Sequence, residues 1–95
     1  MTSYIQMDER HYQIVKKILN HYNVKTMIFG SRAKGTAKKF SDLDLVVLDP
    51  IEGKKLTSIK NDLEDSNLPY KVDIIQWNEL DQNFQQHIKN DLKAF

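Results

Sequence analysis

Apolar residues along this chain change period several times, and each change marks an element. Ile14, Val15, Ile18, Leu19 and Tyr22 recur at helical spacing after Asp8, a good helix cap, so a first helix is predicted up to about Tyr22. Asn23 suits its end. Thr26–Phe29 is a short β-branched and aromatic run closed by Gly30, the pattern of a buried strand. Residues 30–41 are rich in Gly, Ser, Ala and Lys and predict a loop with room for one helical turn. Asp42–Leu48 reads as a second strand, stopped by Asp49-Pro50. Leu56, Ile59 and Leu63 then return to helical spacing and predict a helix over 54–65, broken at Asn67-Leu68-Pro69. Tyr70–Trp77 is a third strand. Asn78 is placed to cap a last helix carrying Leu80, Phe84, Ile88, Leu92 and Phe95. The predicted order is α-β-β-α-β-α, a small mixed sheet covered by helices, in the α+β or α/β class.

At 95 residues, with no repeat, linker or low-complexity tract, residues 1–95 read as one domain with a modest core. Little length remains for a second, substrate-recognising lobe, so selectivity is expected to draw on a partner or an oligomer. Formal net charge is +1, too balanced for a bulk nucleic-acid binder or an acidic-membrane binder. Locally the balance breaks: Lys25, Arg32, Lys34, Lys38 and Lys39 fall between Val24 and Ser41 with no acid, a stretch suited to a small anion. The absence of cysteine excludes disulfides, thiolate metal sites and a cysteine nucleophile. No apolar run is long enough to span a bilayer and the start lacks signal-peptide form, so the cytoplasm is the expected location.

Three features carry candidate chemistry. Gly30-Ser31 follows a strand directly, where a glycine lets the backbone turn sharply and leaves amides and a hydroxyl for a phosphate oxygen. A plain strand-to-loop turn has the same form. Asp42 and Asp44 stand two apart, so in a strand both carboxylates project from one face while Leu43 and Leu45 enter the core. Such a pair repels itself unless a cation intervenes, and Mg²⁺, a hard ion with oxygen ligands and open positions, is the natural occupant. The plain alternative is two solvated acids at a strand end. Asp73 lies between Val72 and Ile74 in a strand that otherwise disfavours acids. It reads either as a third ligand or as an edge residue facing water.

Phe29-Gly30-Ser31, ten further residues, then Asp42-Leu43-Asp44-Leu45, with Val72-Asp73-Ile74 on a later strand, resembles the signature of the DNA polymerase β nucleotidyltransferase superfamily. Within it the chain is similar to the minimal nucleotidyltransferases of bacteria and archaea, one-domain proteins typically encoded beside a HEPN-domain protein as antitoxin and toxin. The resemblance runs over nearly the whole chain, in element order as well as motif. It implies that Asp42 and Asp44 hold two Mg²⁺ and that Asp73 binds the catalytic ion near the acceptor hydroxyl. It also implies that Gly30 and Ser31 grip the β- and γ-phosphates of ATP or another nucleotide. Arg32 is then a candidate to neutralise the pyrophosphate leaving group. The implied activity is transfer of a nucleotide, AMP from ATP, to a hydroxyl on a HEPN partner. A binding module that neutralises the partner without transfer is the alternative.

Other residues carry less. His11, His21 and His87 show no metal-ligand spacing, and Ser31 lacks a neighbouring base or nucleophile elbow. Tyr70 and Trp77 read as packing residues, with base stacking open to Tyr70.

Overall fold

The computed structural model describes residues 5–95. Helix α1 (Glu9–His21) begins at the expected cap, Asp8, whose side chain accepts the Arg10 amide. It ends through Asn23, a residue at φ 56°. The Asn23 and Val24 amides return to the Asn20 and Leu19 carbonyls at 3.0 Å, satisfying orphan groups of the last turn. Strand β1 (Met27–Phe29), the short helix α2 (Ser31–Lys34) and strand β2 (Leu43–Val47) follow. Helix α3 (Gly53–Asp65), strand β3 (Val72–Gln76), helix α4 (Gln82–Lys89) and strand β4 (Lys93–Ala94) complete the chain.

The strands form one mixed sheet in the order β3-β2-β1-β4. β1 runs antiparallel to both β2 and β4, whereas β2 and β3 are parallel, with α3 as the crossover. This is the mixed α+β sheet the pattern predicts, with one strand more. One face carries Ile28, Leu43, Leu45, Val47 and Ile74, buried under Val15 and Leu19 of α1 and Ile59 and Leu63 of α3. The other carries Phe29 and Val46 under Ile88 of α4, with Met27, Ile75 and Trp77 beside them. β2 is therefore covered on both sides: Leu43, Leu45 and Val46 are fully buried. Asp44, half-buried, is the one polar side chain within that strand.

The C-terminal third departs from expectation. Asn78 does not cap the last helix: Trp77–Glu79 form a 3-10 turn, and the Asp81 carboxylate accepts the Phe84 amide instead. The helix stops at Lys89, and Asp91 bonds back to Ile88 at 2.9 Å. Lys93–Ala94 then pair with β1, whose edge would otherwise be open. Phe95 accordingly belongs to the α1 face of the sheet, where it is buried and its carbonyl accepts from Tyr12 Oη at 3.0 Å and Lys16 Nζ at 3.1 Å. A strand of two residues is too short for alternation to reveal, and Leu92 and Phe95 happen to continue the helical stripe.

Candidate active site

The sheet register assembles the carboxylates. Asp44 pairs with Phe29 on one side and Asp73 on the other, so two acids from neighbouring strands stand side by side on the Phe29–Val46–Ile75 face. Asp42, just before β2 and exposed, has the same parity as Asp44. Leu43 and Leu45 enter the opposite core, as the spacing requires.

Gly30 closes the site from β1. Its φ of 77° and ψ of −158° suit glycine alone, and they turn the chain from β1 into α2. It is also where Asp44 approaches most closely: a methyl on Gly30 would overlap Asp44 Oδ2 and stand 3.3 Å from its Cγ. The glycine thus makes the turn and leaves the space that the carboxylate occupies. Ser31, half-buried, is the first residue of α2, and the Ala33 and Lys34 amides are taken by the Gly30 carbonyl at 3.1 and 3.0 Å.

Burial, then the charges of Asp73 and Asp42, raise the Asp44 pKa to about 6. The charge of Asp73 is met by Lys71, whose Nζ lies 3.2 Å from Asp73 Oδ1. That hydrogen bond and charge raise the lysine's own pKa, with Asp42 adding to the effect. The cluster is thus an excess of negative charge with all-oxygen donors, a set that fits a hard divalent cation. Among the described residues no three potential ligands stand together at ready-made metal-binding separations, so the sheet aligns the acids without enclosing an ion.

Arg32 corrects the sequence reading. The expected pyrophosphate ligand is 4 % exposed, and its guanidinium donates four hydrogen bonds to backbone carbonyls. Two go to Ser41 and one each to Gln6 and Lys39, while the guanidinium carbon lies over the Tyr70 ring, 4.0 Å from its centre. Its fork holds the loop between α2 and β2 in shape and so fixes where Asp42 emerges. Gln6 completes the clasp: its Nε2 donates to the Ala37 carbonyl and its Oε1 accepts the Ala37 amide, both at 2.8 Å. The other loop cations stay at the surface, Lys34 with Asp91 at 3.4 Å and Lys39 over Phe40. Sequence reasoning missed Lys71 and Gln6. Lys71, two residues before Asp73 on the same strand parity, was recoverable from spacing; no local signal marks Gln6.

A sheet whose central strand carries one acid, with a second acid just before that strand, a third in register on the next strand and a glycine turn beside them, is the arrangement of a nucleotidyl-transfer domain. Residues 13–94 match the family described as "Polymerase beta, Nucleotidyltransferase". The chain belongs to that family and is a minimal nucleotidyltransferase. It is 36% identical to the Haemophilus influenzae protein named "Probable protein adenylyltransferase MntA", over 94% of this chain and 83% of that one. A crystal structure of a Sulfolobus solfataricus protein, titled as a candidate nucleotidyltransferase, shares the fold at a TM-score of 0.50 and 17% identity. That likeness covers 92% of this chain and 83% of the other.

Proposed function

We propose that this chain transfers AMP from ATP to a hydroxyl on an acceptor protein, in a Mg²⁺-dependent reaction carried by Asp42, Asp44 and Asp73. The observation that supports it most is the registered pair Asp44–Asp73 under Gly30, whose mutual repulsion calls for a cation. The relative named as a protein adenylyltransferase supports the choice of substrate class.

Asp42 and Asp44 would hold the ions that escort the triphosphate, and Asp73 would complete the shell on the acceptor side. Bound Mg²⁺ would offset the charge of the phosphates and of the leaving group. The residues themselves do the rest. Gly30 admits the Asp44 carboxylate beside the turn, and the Ser31 hydroxyl stands at the same turn for a phosphate oxygen. Asp73 Oδ2, the oxygen not engaged by Lys71, can take the acceptor's proton. The acceptor oxygen then bonds to the α-phosphorus as the α–β bridging bond breaks, and pyrophosphate leaves with the electron pair. With Arg32 committed to the loop, charge on pyrophosphate is left to the ions and to the surface lysines.

The acceptor we assign is a HEPN-domain protein partner in the cytoplasm, which transfer would silence, making the chain an antitoxin. The Lys71–Asp73 ion pair, together with the open spacing of the acids, favours a second reading: a module that silences the partner by binding alone. Intact-mass measurement of such a partner, after incubation with the chain, ATP and Mg²⁺, decides between them. A mass gain of one AMP is expected; silencing with no gain would leave the second reading.

A further inference from the structure

We infer that the outer edge of β3 is the docking site for the acceptor. An extended, hydroxyl-bearing segment of the acceptor protein adds there as a further strand and sets its hydroxyl beside Asp73. This deepens the transfer reading above and rests on it.

Among the described residues β3 ends the sheet, paired on one side only, with β2. The Leu43 amide donates to the Lys71 carbonyl at 2.9 Å. In a parallel ladder this commits Lys71, Asp73 and Ile75 to β2 and turns the N–H and C=O groups of Val72, Ile74 and Gln76 outward. Among the described residues nothing bonds those outward groups. An open edge of five residues is a template for another strand, and proteins usually blunt such edges with proline, a bulge or charge. Here the strand holds no proline, and the charges that its own segment brings to the edge, Lys71 and Asp73, belong to the site itself.

Two further features say what the strand carries. Asp44 and Asp73 lie side by side on one face, and successive strands are about 4.8 Å apart. A residue paired with Asp73 on an added strand is therefore next in the row, and its side chain shares the carboxylate face. Its two chain neighbours point the opposite way, towards α3. There a groove of about 510 Å³ runs along the edge, with Leu63 and Leu68 in its wall and Lys60 and Glu64 at its rim. Asp73 lines the same groove, so the edge and the carboxylate row are continuous. The matching segment is a Ser, Thr or Tyr flanked on both sides by apolar residues, held by main-chain bonds and selected by alternate side chains.

The probe is the capped peptide Lys-Val-Thr-Val-Lys, added at millimolar concentration to the isotope-labelled chain without ATP or Mg²⁺, with amide hydrogen exchange as the readout. Exchange at Val72, Ile74 and Gln76 is expected to slow about tenfold. The peptide Lys-Pro-Thr-Pro-Lys, which cannot donate from its flanking positions, should leave the rates unchanged. Unchanged exchange with the valine peptide overturns the inference. Protection that grows with chain concentration in the absence of peptide also overturns it, because a second copy then fills the edge. An inactive chain still reports in this assay, so failure of the transfer reading and failure of the docking site are told apart.

Discussion

Replacing Gly30 with alanine tests whether one glycine serves both the turn and the site. The backbone there sits at φ 77° and ψ −158°, a region in which an L side chain costs about 1–3 kcal/mol. The new methyl also overlaps Asp44 Oδ2, and forced contacts of this kind cost about 1–3 kcal/mol more. The sum, about 2–6 kcal/mol, is a large share of the stability of so small a domain. At about 4–8 °C per kcal/mol, the melting temperature should fall by at least about 8 °C. The two contributions separate in a double-mutant cycle run in EDTA with Asp44→Ala. Removing the carboxylate abolishes the overlap but not the backbone strain, so Gly30→Ala should cost about 1–3 kcal/mol less in the Asp44→Ala background. Urea unfolding of the four proteins gives the coupling. Additivity within about 0.3–0.5 kcal/mol would refute the claim that Gly30 makes room for Asp44.

Substitutions at three other positions probe the same framework. Asp44 has a folded pKa near 6 against 3.8 for the free side chain, so the folded state binds more protons between these values and loses stability as pH rises through them. After discounting for solvent around a half-buried group, the effect is about 1–2 kcal/mol. In EDTA, the advantage of Asp44→Asn over wild type should therefore grow as pH rises from 3.8 to about 6, with Mg²⁺ narrowing it; a gap independent of pH would count against the burial of Asp44 beside two other acids. Arg32→Ala leaves carbonyls of Gln6, Lys39 and Ser41 unpaired and should cost about 3 kcal/mol or more in urea unfolding. Arg32→Lys should not restore it, because an ammonium lacks the fork; full stability of Arg32→Lys would contradict the clasp. Lys71→Ala removes the ammonium beside Asp73 and should tighten Mg²⁺ binding measured by calorimetry. Unchanged or weaker binding would mean that Lys71 does not compete with a cation.

Much of this could be read from the sequence, because the relevant signals are local. Alternation along Asp42–Leu45 set which face of β2 carries the acids, and the in-register partner strand then brought Asp73 to Asp44. The Asp8 cap and the Asn23 stop bounded α1 correctly because each acts within one turn. What escaped depends on distant partners. Arg32 lies in a basic stretch and looks like an anion ligand, yet its acceptors sit on Gln6, Lys39 and Ser41, brought together only by the fold. β4 exists because β1 had a free edge, and two residues carry no period of their own. The membrane expectation was compositional, and among the described residues no helix is long and apolar enough to cross a bilayer.

The central claim is that Asp42 and Asp44 serve the nucleotide whereas Asp73 serves the acceptor. Asp73→Asn keeps the size and removes the charge, so it separates the two tasks. With α-labelled ATP, Mg²⁺ and a HEPN-domain acceptor, Asp73→Asn should bind Mg²⁺-ATP with nearly wild-type affinity and lose transfer by about two orders of magnitude or more. Asp42→Asn should weaken both. Transfer by Asp73→Asn at the wild-type rate would remove Asp73 from the site and contradict the account.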